Sequence, residues 1–261
     1  MLKHTLITTI AVFGTAFTSF AQDATEPKIL AFEKKTKDSE DQLYVVIEGD
    51  FISGTQFAGS EAGTAFGRIF GKVREDGVLH LTFNYEIEGQ PGSEEQLMKL
   101  GKGEITVAMG ELTVHGPNQL VLKDPKGVKF TRVLKQVPLS EPKMESKEAA
   151  AVLEPVDAII TKLAGMKCDL SSGVVRIAGD WALYQGFIST PEDKKPADPQ
   201  IATKIAQLQF QAQLKKDDKG WKVLRSAFES SPGGGYEFPE NSDDSQAPWQ
   251  LFEGINGSGG H

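Results

Sequence analysis

The chain has 261 residues, 39% of them hydrophobic, and carries 36 acidic against 28 basic side chains for a formal net charge of −8. This acidic balance argues against nucleic-acid binding, which needs a basic surface, and equally against attachment to anionic lipid surfaces. The length suits one or two domains of roughly 100 residues, each able to bury a hydrophobic core.

The beginning of the chain has the composition of a cleavable signal peptide. A basic residue is followed by an apolar run, Leu6 to Phe17, and then by small residues up to Ala21. This order is typical of secretory signals, and the run is shorter than the roughly 20 residues of a transmembrane helix. We therefore expect residues 1–21 to be removed by cleavage between Ala21 and Gln22. The mature chain has no later run long enough to cross a membrane, so we expect export to the periplasm or the extracellular space.

Cys168 is the only cysteine of the chain. An exported protein with a single cysteine forms no internal disulfide, so its stability must come from packing. Cys168 stands just before a predicted strand with no histidine near it in sequence. This setting favours a small buried side chain over a nucleophilic thiol.

Residues 28–135 have the pattern of many short strands. The clearest strand alternates apolar and polar residues, a period of two that is typical of a half-buried strand. Asp76-Gly77 before it is a hairpin turn signal, and Gly67 and Gly71 in the preceding strand indicate a bend or a bulge. Seven or eight strands with turns about every ten residues predict an antiparallel barrel or sandwich. The apolar face of the clearest strand consists of Leu79, Leu81, Phe83, Tyr85 and Ile87.

A second unit, residues 148–230, follows a proline-containing linker at 136–147. Its first part is rich in alanine, with apolar residues at three- and four-residue steps, and predicts a helix that ends at Gly165. Pro155 either begins this helix or lies within a longer, kinked one. Strands follow, with a break at 178–180. We therefore predict a small α+β domain with one helix on an antiparallel sheet.

The stretch from Ile205 to Leu214 alternates apolar residues with glutamines. In a helix the apolar residues would be scattered around the circumference, whereas in a strand they form one face. The stretch therefore predicts a strand, with a row of glutamines on its other face. Antiparallel sheets often have one solvated face. The alternatives are that this face packs against the first domain or that it lines a pocket and binds a polar ligand. The glutamines of the row are Gln207, Gln209, Gln211 and Gln213.

Residues 231–261 are rich in Gly, Ser, Pro and acidic side chains, which predicts a disordered tail. Four aromatic residues interrupt this composition: Tyr236, Phe238, Trp249 and Phe252. They would allow the tail to dock on the folded body or on a partner.

The end of the second unit resembles the NTF2-like (SnoaL-like) α+β fold. The residues that carry the resemblance are GDWALYQGFIS and QFQAQLKKDDKGWKVLRSAFES, a strand running through a charged turn into the final strand. The resemblance covers about residues 150–230, but the family usually has several helices before its sheet. A cystatin-like arrangement fits the single expected helix equally. The NTF2-like family includes enzymes with an Asp base in a cone-shaped pocket, but Asp180 stands at the strand break, where a turn residue is expected.

The first unit is similar to small lipocalin-like barrels of exported bacterial proteins. The similarity lies in the strand rhythm of residues 51–100, including IEGQPGSEEQ. It implies a closed barrel and an apolar pocket.

The sequence contains no motif that assigns catalysis, a cofactor or a metal. The histidines after the signal peptide, His80, His115 and His261, lack zinc-site spacing, and no G-x-S-x-G or calcium-loop pattern occurs. Paired carboxylates can hold calcium or act as acid and base, but a solvated acidic face is the common arrangement. The carboxylates considered are Glu86, Glu88, Glu94, Glu95, Asp217 and Asp218.

Three functions remain open at this point. The first is a noncatalytic binding or interaction protein of the cell envelope, whose partner is a small ligand or an envelope protein. The second is a small hydrolase or isomerase with a carboxylate in an NTF2-like pocket. The third is a structural envelope module in which the two units pack on each other, the glutamine row included.

Overall fold

The structure is a computed structural model of the chain, and it describes residues 26–60, 63–87, 90–109, 112–114, 119–122, 129–239 and 247–254. The predicted signal peptide with its Ala21–Gln22 cleavage site lies outside these residues. The same holds for Glu88, His115 and His261, and for the side chains of Glu86 and Ile87.

The first unit is an antiparallel β-barrel of eight strands. Around the barrel the neighbours follow the order β1, β2, β3, β4, β5, β6, β7, β10 and back to β1. β8 and β9 form a hairpin attached to β6 by a parallel pairing. The prediction of a mainly β chain with an antiparallel barrel is therefore confirmed. The strands are β1 Lys28–Lys35, β2 Ser39–Glu48, β3 Phe51–Ser60, β4 Gly63–Val73, β5 Val78–Ile87, β6 Gln90–Leu100, β7 Glu104–Met109, β8 Leu112–Val114, β9 Gln119–Leu122 and β10 Lys129–Val137.

Side chains of alternating residues fill the barrel interior. Leu79, Leu81 and Phe83 of β5 are buried, whereas His80 between them is exposed, as the period of two predicts. An eight-stranded barrel is just wide enough for its interior to be filled by side chains or to hold one small ligand. The remaining buried core residues are Leu30, Phe32, Leu43, Val45, Ile52, Ile69, Met98, Ile105, Val107 and Leu134.

Two glycines allow β4 to cross close to β5. A Cβ atom on Gly67 would overlap the carbonyl oxygen of Asn84, and one on Gly71 would overlap that of His80. The pairing of β4 with β5 nevertheless runs without a register shift from Phe66 to Val73. The expected bulge is therefore absent from this pairing, and the glycines allow the close approach of β4 to the backbone of β5.

The second unit begins with helix α1, Lys147–Ala164. Ser146 caps its first turn by accepting a hydrogen bond from the backbone of Ala149, and Gly165 ends it with a left-handed φ of 70°. Pro155 lies inside this single helix, so the alternative of a longer helix is the one observed. Within the described residues no helix is long and apolar enough to cross a membrane.

Helix α1 covers one face of a four-stranded antiparallel sheet. The strands lie in the order β11, β12, β13, β14, and the expected break at 178–180 is a tight hairpin between β11 and β12. Alternate residues of the strands and residues of α1 form a shared core that includes Tyr184, Phe210 and Leu214. The strands are β11 Val174–Ala178, β12 Trp181–Gly186, β13 Phe210–Asp217 and β14 Gly220–Phe228.

The strand predicted from Ile205 to Leu214 is wrong in its first half. A second helix, α2 Pro199–Gln207, precedes β13, and Gln207 is exposed at its end. Asp198 caps this helix by accepting from the backbone of Gln200 and Ile201, with proline at the first helical position. These local signals determine the helix, although the apolar alternation continues across the junction.

Candidate functional site

The glutamines of β13 on the second face of the sheet are buried, whereas Gln209 is half-buried. Gln211 is only 3% exposed, and Gln213 and Gln185 are equally hidden. The interpretation of this face as a solvated surface is therefore wrong. Residues from outside the sheet cover that face. The alternation of residues within one strand cannot show such a cover.

A ladder of amide hydrogen bonds satisfies the row. Gln211 Nε2 donates to Gln185 Oε1 at 3.0 Å, and Gln185 Nε2 donates to Gln209 Oε1 at 2.9 Å. On the far side, Arg225 Nε donates to Gln213 Oε1 at 2.8 Å. Buried amides need such partners, since each unsatisfied group costs about 1–3 kcal/mol.

The chain that follows β14 covers two parts of this face. Phe238 lies under the Arg225 guanidinium, with 4.1 Å between ring centroid and Cζ. Further along, the 3₁₀ turn Trp249–Leu251 places Leu251 in full burial against Ala178 and Leu183. In the part of the tail that the structure describes, aromatic side chains thus dock on the folded body.

Arg176 of β11 joins the two units. Its guanidinium is 97% buried and donates through Nη2 to the phenol oxygen of Tyr44 in β2 at 2.8 Å. Nε donates to the Glu141 carboxylate, and Nη1 donates to the backbone carbonyl of Glu253. One side chain therefore holds the barrel, the connector between the units and the end of the described chain.

Residues 247–254, which we call the strap, also contact the barrel directly. Thr55 Oγ1 donates to Glu253 Oε2 at 2.7 Å, and Trp249 Nε1 donates to Glu33 Oε2 at 3.3 Å. Gly254 packs on the ring of Tyr44 with a left-handed φ of 66°. The strap thus ties the outer wall of the barrel to the glutamine-bearing face of the sheet.

Beside this joint the two units leave an open cleft of about 490 Å³. Ile29 and Val46 of the barrel form one apolar wall. The sheet forms the other with Val174, 41% exposed, and Phe187, 46% exposed. Polar groups also border it, namely Tyr44, Glu141, Ser172, Arg176, Gln185 and Gln209.

The cleft carries no net charge from the residues that line it. Arg176 and Glu141 are its charged residues among those described, and they form an ion pair with each other. Burial raises the pKa of Tyr44 above its usual value, with Arg176 partly opposing that effect. The phenol therefore stays neutral near pH 7 and keeps its hydrogen.

Two other regions of the molecule are less suited to hold a ligand. A wide groove of about 1240 Å³ lies between residues 187–196 and α2, and it is lined largely by exposed loop residues. Inside the barrel, Gln56 Nε2 donates to Asp41 Oδ1 at 3.4 Å, and Gln96 is also buried. The groove is an open surface between a loop and a helix, and the barrel interior is filled by its own core side chains.

The candidate catalytic and metal-binding residues that the sequence singled out lie away from the cleft, whereas Gln209 of the glutamine row borders it. His80 Nε2 is 3.1 Å from Glu95 Oε2 on the outer barrel surface. Cys168 is buried, and its pKa is raised by desolvation, which makes it less reactive. Asp180 lies in the β11–β12 turn, and Asp217 caps the next turn by accepting from the Lys219 backbone. No cluster of three His, Cys, Asp or Glu side chains suited to a metal occurs in the described ranges.

Little in the sequence pointed to Tyr44 and Arg176, the two residues of the joint beside the cleft. Tyr44 and Arg176 are 132 positions apart, and each stands in an ordinary apolar strand. The one available signal was a charged residue inside the apolar stretch VVRIA, because arginine is rarely fully buried without partners. Gln185 belongs to β12 and could be joined to the glutamine row only once the strand pairing was known.

Comparisons of this chain with models of protein families, with curated proteins and with solved structures found no match. The candidate site therefore rests on the geometry above.

Proposed function

We propose that this is an exported, noncatalytic binding protein of the cell envelope that holds a small molecule in the cleft between barrel and sheet. The observation that carries the proposal is the exposure of Val174 and Phe187 directly beside buried, converging polar groups. Ligand sites favour domain interfaces, volumes of about 300–1,000 Å³ and apolar walls with a few placed polar groups.

The joint beside the cleft supports this proposal. Arg176 fixes Tyr44 and the strap in one arrangement, so the cleft exists before any ligand arrives. A preformed site loses little conformational entropy on binding. The lipocalin-like and NTF2-like resemblances favour the same conclusion, because both families include proteins that hold ligands in pockets.

Binding is favoured over the alternative of a hydrolase or isomerase. Among the described residues that line the cleft, Glu141 is the only carboxylate, and Arg176 engages it. A general base must reach its substrate with a proton-accepting group that is not already neutralised by a cation. Export follows from the signal peptide predicted at residues 1–21.

Native mass spectrometry of the mature protein, purified from the organism that makes it, tests the proposal. We expect the mass of residues 22–261 plus a reproducible additional mass. Val174→Trp should remove that additional mass, because an indole on this exposed wall fills the cleft. Val133→Trp is the matched control, since Val133 is 42% exposed on β10 and lies outside the cleft lining.

Two outcomes would overturn the proposal. One is a wild-type protein that carries no additional mass, which would favour the structural module, in which the joint alone is the function. The other is an additional mass that Val174→Trp and Val133→Trp retain equally.

A further inference from the structure

The side-chain amide of Gln209 has a fixed direction in the cleft. Its Oε1 accepts from Gln185 Nε2 at 2.9 Å and from the Tyr236 hydroxyl at 3.4 Å. Reversing this amide alone would set its nitrogen against the Gln185 nitrogen, so it can turn only together with Gln185 and Gln211. Nε2 therefore faces away from the ladder with two N–H donors, which no residue of the described chain accepts.

Tyr44 offers a second donor in the same cleft. Its oxygen accepts the bond from Arg176 Nη2, which leaves the hydroxyl hydrogen free to point elsewhere. No acceptor for this hydrogen occurs within the described part of the protein. Tyr44 and Gln209 both border the cleft, Tyr44 on the barrel side and Gln209 on the sheet side.

The surroundings of these donors disfavour an ionic ligand. The Arg176–Glu141 pair is already neutral, so neither a carboxylate nor an ammonium group finds an unbalanced counter-charge there. Moving an ion from water towards apolar walls is costly without one. A neutral oxygen acceptor, in contrast, would satisfy donors that otherwise depend on water.

Taking the proposed ligand-binding role of the cleft as given, we infer its ligand class. The geometry points to an uncharged amphiphile whose oxygen acceptors meet the Gln209 Nε2 and Tyr44 Oη donors, while its apolar body lies on Val174 and Phe187. The two donors favour a ligand with an oxygen acceptor. The apolar walls favour a ligand with a hydrocarbon chain or a ring.

Three probes with the same chain length separate the possibilities: 2-octanone, octanoate and octylammonium. Each is titrated into the ¹⁵N-labelled mature chain, and the shifts of the Gln209 side-chain amide and of the Val174 backbone amide are followed. We expect the ketone to bind at least tenfold more tightly than either ion.

Gln209→Glu tests the donor itself. The carboxylate can still accept from Gln185 and Tyr236, but it replaces the N–H donors with an acceptor. We expect ketone affinity to fall about tenfold and octylammonium affinity to rise. Gln213→Glu adds the same charge on β13, outside the cleft lining, where Arg225 donates to it, and should leave all three affinities unchanged. Tyr44→Phe should weaken the ketone about fivefold, the loss expected for one hydrogen bond.

The possible failures can be told apart. If either ion binds the wild-type chain as tightly as the ketone, or if Gln209→Glu and Tyr44→Phe both leave ketone binding unchanged, the ligand class is wrong while cleft binding stands. If none of the three probes shifts the cleft signals, the proposed function itself fails.

Discussion

Arg176 contacts Tyr44 in two ways, since Nη2 donates to the phenol oxygen at 2.8 Å and the guanidinium carbon lies 5.1 Å from the ring centroid. The first contact satisfies a buried donor, and the second is a cation–π contact across the boundary between the units. Because Glu141 and the Glu253 carbonyl accept from Nε and Nη1, each of the three guanidinium nitrogens of this buried cation donates a hydrogen bond. The relative placement of the barrel and the sheet therefore depends strongly on one side chain.

Arg176→Met should lower the free energy of unfolding by about 2–4 kcal/mol, because removing one member of a buried ion pair leaves the other without its partner. Urea unfolding at pH 7 measures this. Arg74→Met is the control, since the Arg74–Asp76 pair at 3.2 Å is exposed and should contribute less than about 1 kcal/mol. If both variants lost the same free energy of unfolding, Arg176 would not be the main contact between the two units.

Gln211→Lys should destabilise the protein by about 2–4 kcal/mol, whereas Gln207→Lys should be neutral. Gln211 is buried in the amide ladder, so a lysine there would be an unpaired buried charge. Gln207 ends α2 with its side chain exposed. Thermal unfolding of both variants measures the two effects on stability. Similar melting temperatures would mean that the ladder is open to water.

The fold was more predictable from the sequence than the site, for a physical reason. The alternation in β5 predicts which residues face the barrel core, because every second side chain of a strand points to the same face. In Ile205–Gln207 two local patterns compete, and the cap at Asp198 with Pro199 prevails over the alternation. Such capping signals were present in the sequence and would have located α2.

Gly254→Ala should loosen the strap. A Cβ at this position would lie 2.8 Å from a ring carbon of Tyr44, and the φ of 66° already disfavours a side chain. Gly233→Ala is a matched control, since its φ is 72° and no atom lies within 4 Å of the added Cβ. Hydrogen exchange at the Phe252 amide should accelerate at least tenfold in Gly254→Ala only. Equal exchange in both variants would contradict the strap contact.

The buried phenol of Tyr184 should make the protein sensitive to alkali. Burial raises its pKa in the folded protein, and its hydroxyl donates to the Leu170 carbonyl at 3.1 Å. Above about pH 10 the unfolded chain loses this proton while the folded chain keeps it, so stability falls as pH rises. One such group lowers stability by up to about 1.4 kcal/mol per pH unit.

Comparison of Tyr184→Phe with the wild type measures this contribution. Between pH 10 and 11.5, the free energy of unfolding should decrease less steeply for Tyr184→Phe. The difference between the two proteins at pH 8 supplies the reference. Parallel slopes across that range would assign the alkaline loss to other groups.

The cleft escaped prediction because none of its determinants is local. Tyr44 and Arg176 belong to strands of two different sheets, and Gln209 immediately precedes β13; each fits its own segment without special features. A glutamine row looks the same in sequence whether water or another part of the chain covers it. Only the path of the strap, which carries no periodic signal, decides between these arrangements.

The order of the two units along the chain also has a consequence for how the protein folds. All eight barrel strands end by Val137, whereas the cleft is bordered by Gly254, near the end of the chain. Synthesis from the N-terminus delivers the barrel first, and domains generally fold as units in that order. Under the proposed function, a truncated chain could still form a closed barrel but would lack the wall that completes the cleft. Ligand competence would then distinguish a fully delivered chain from an interrupted one.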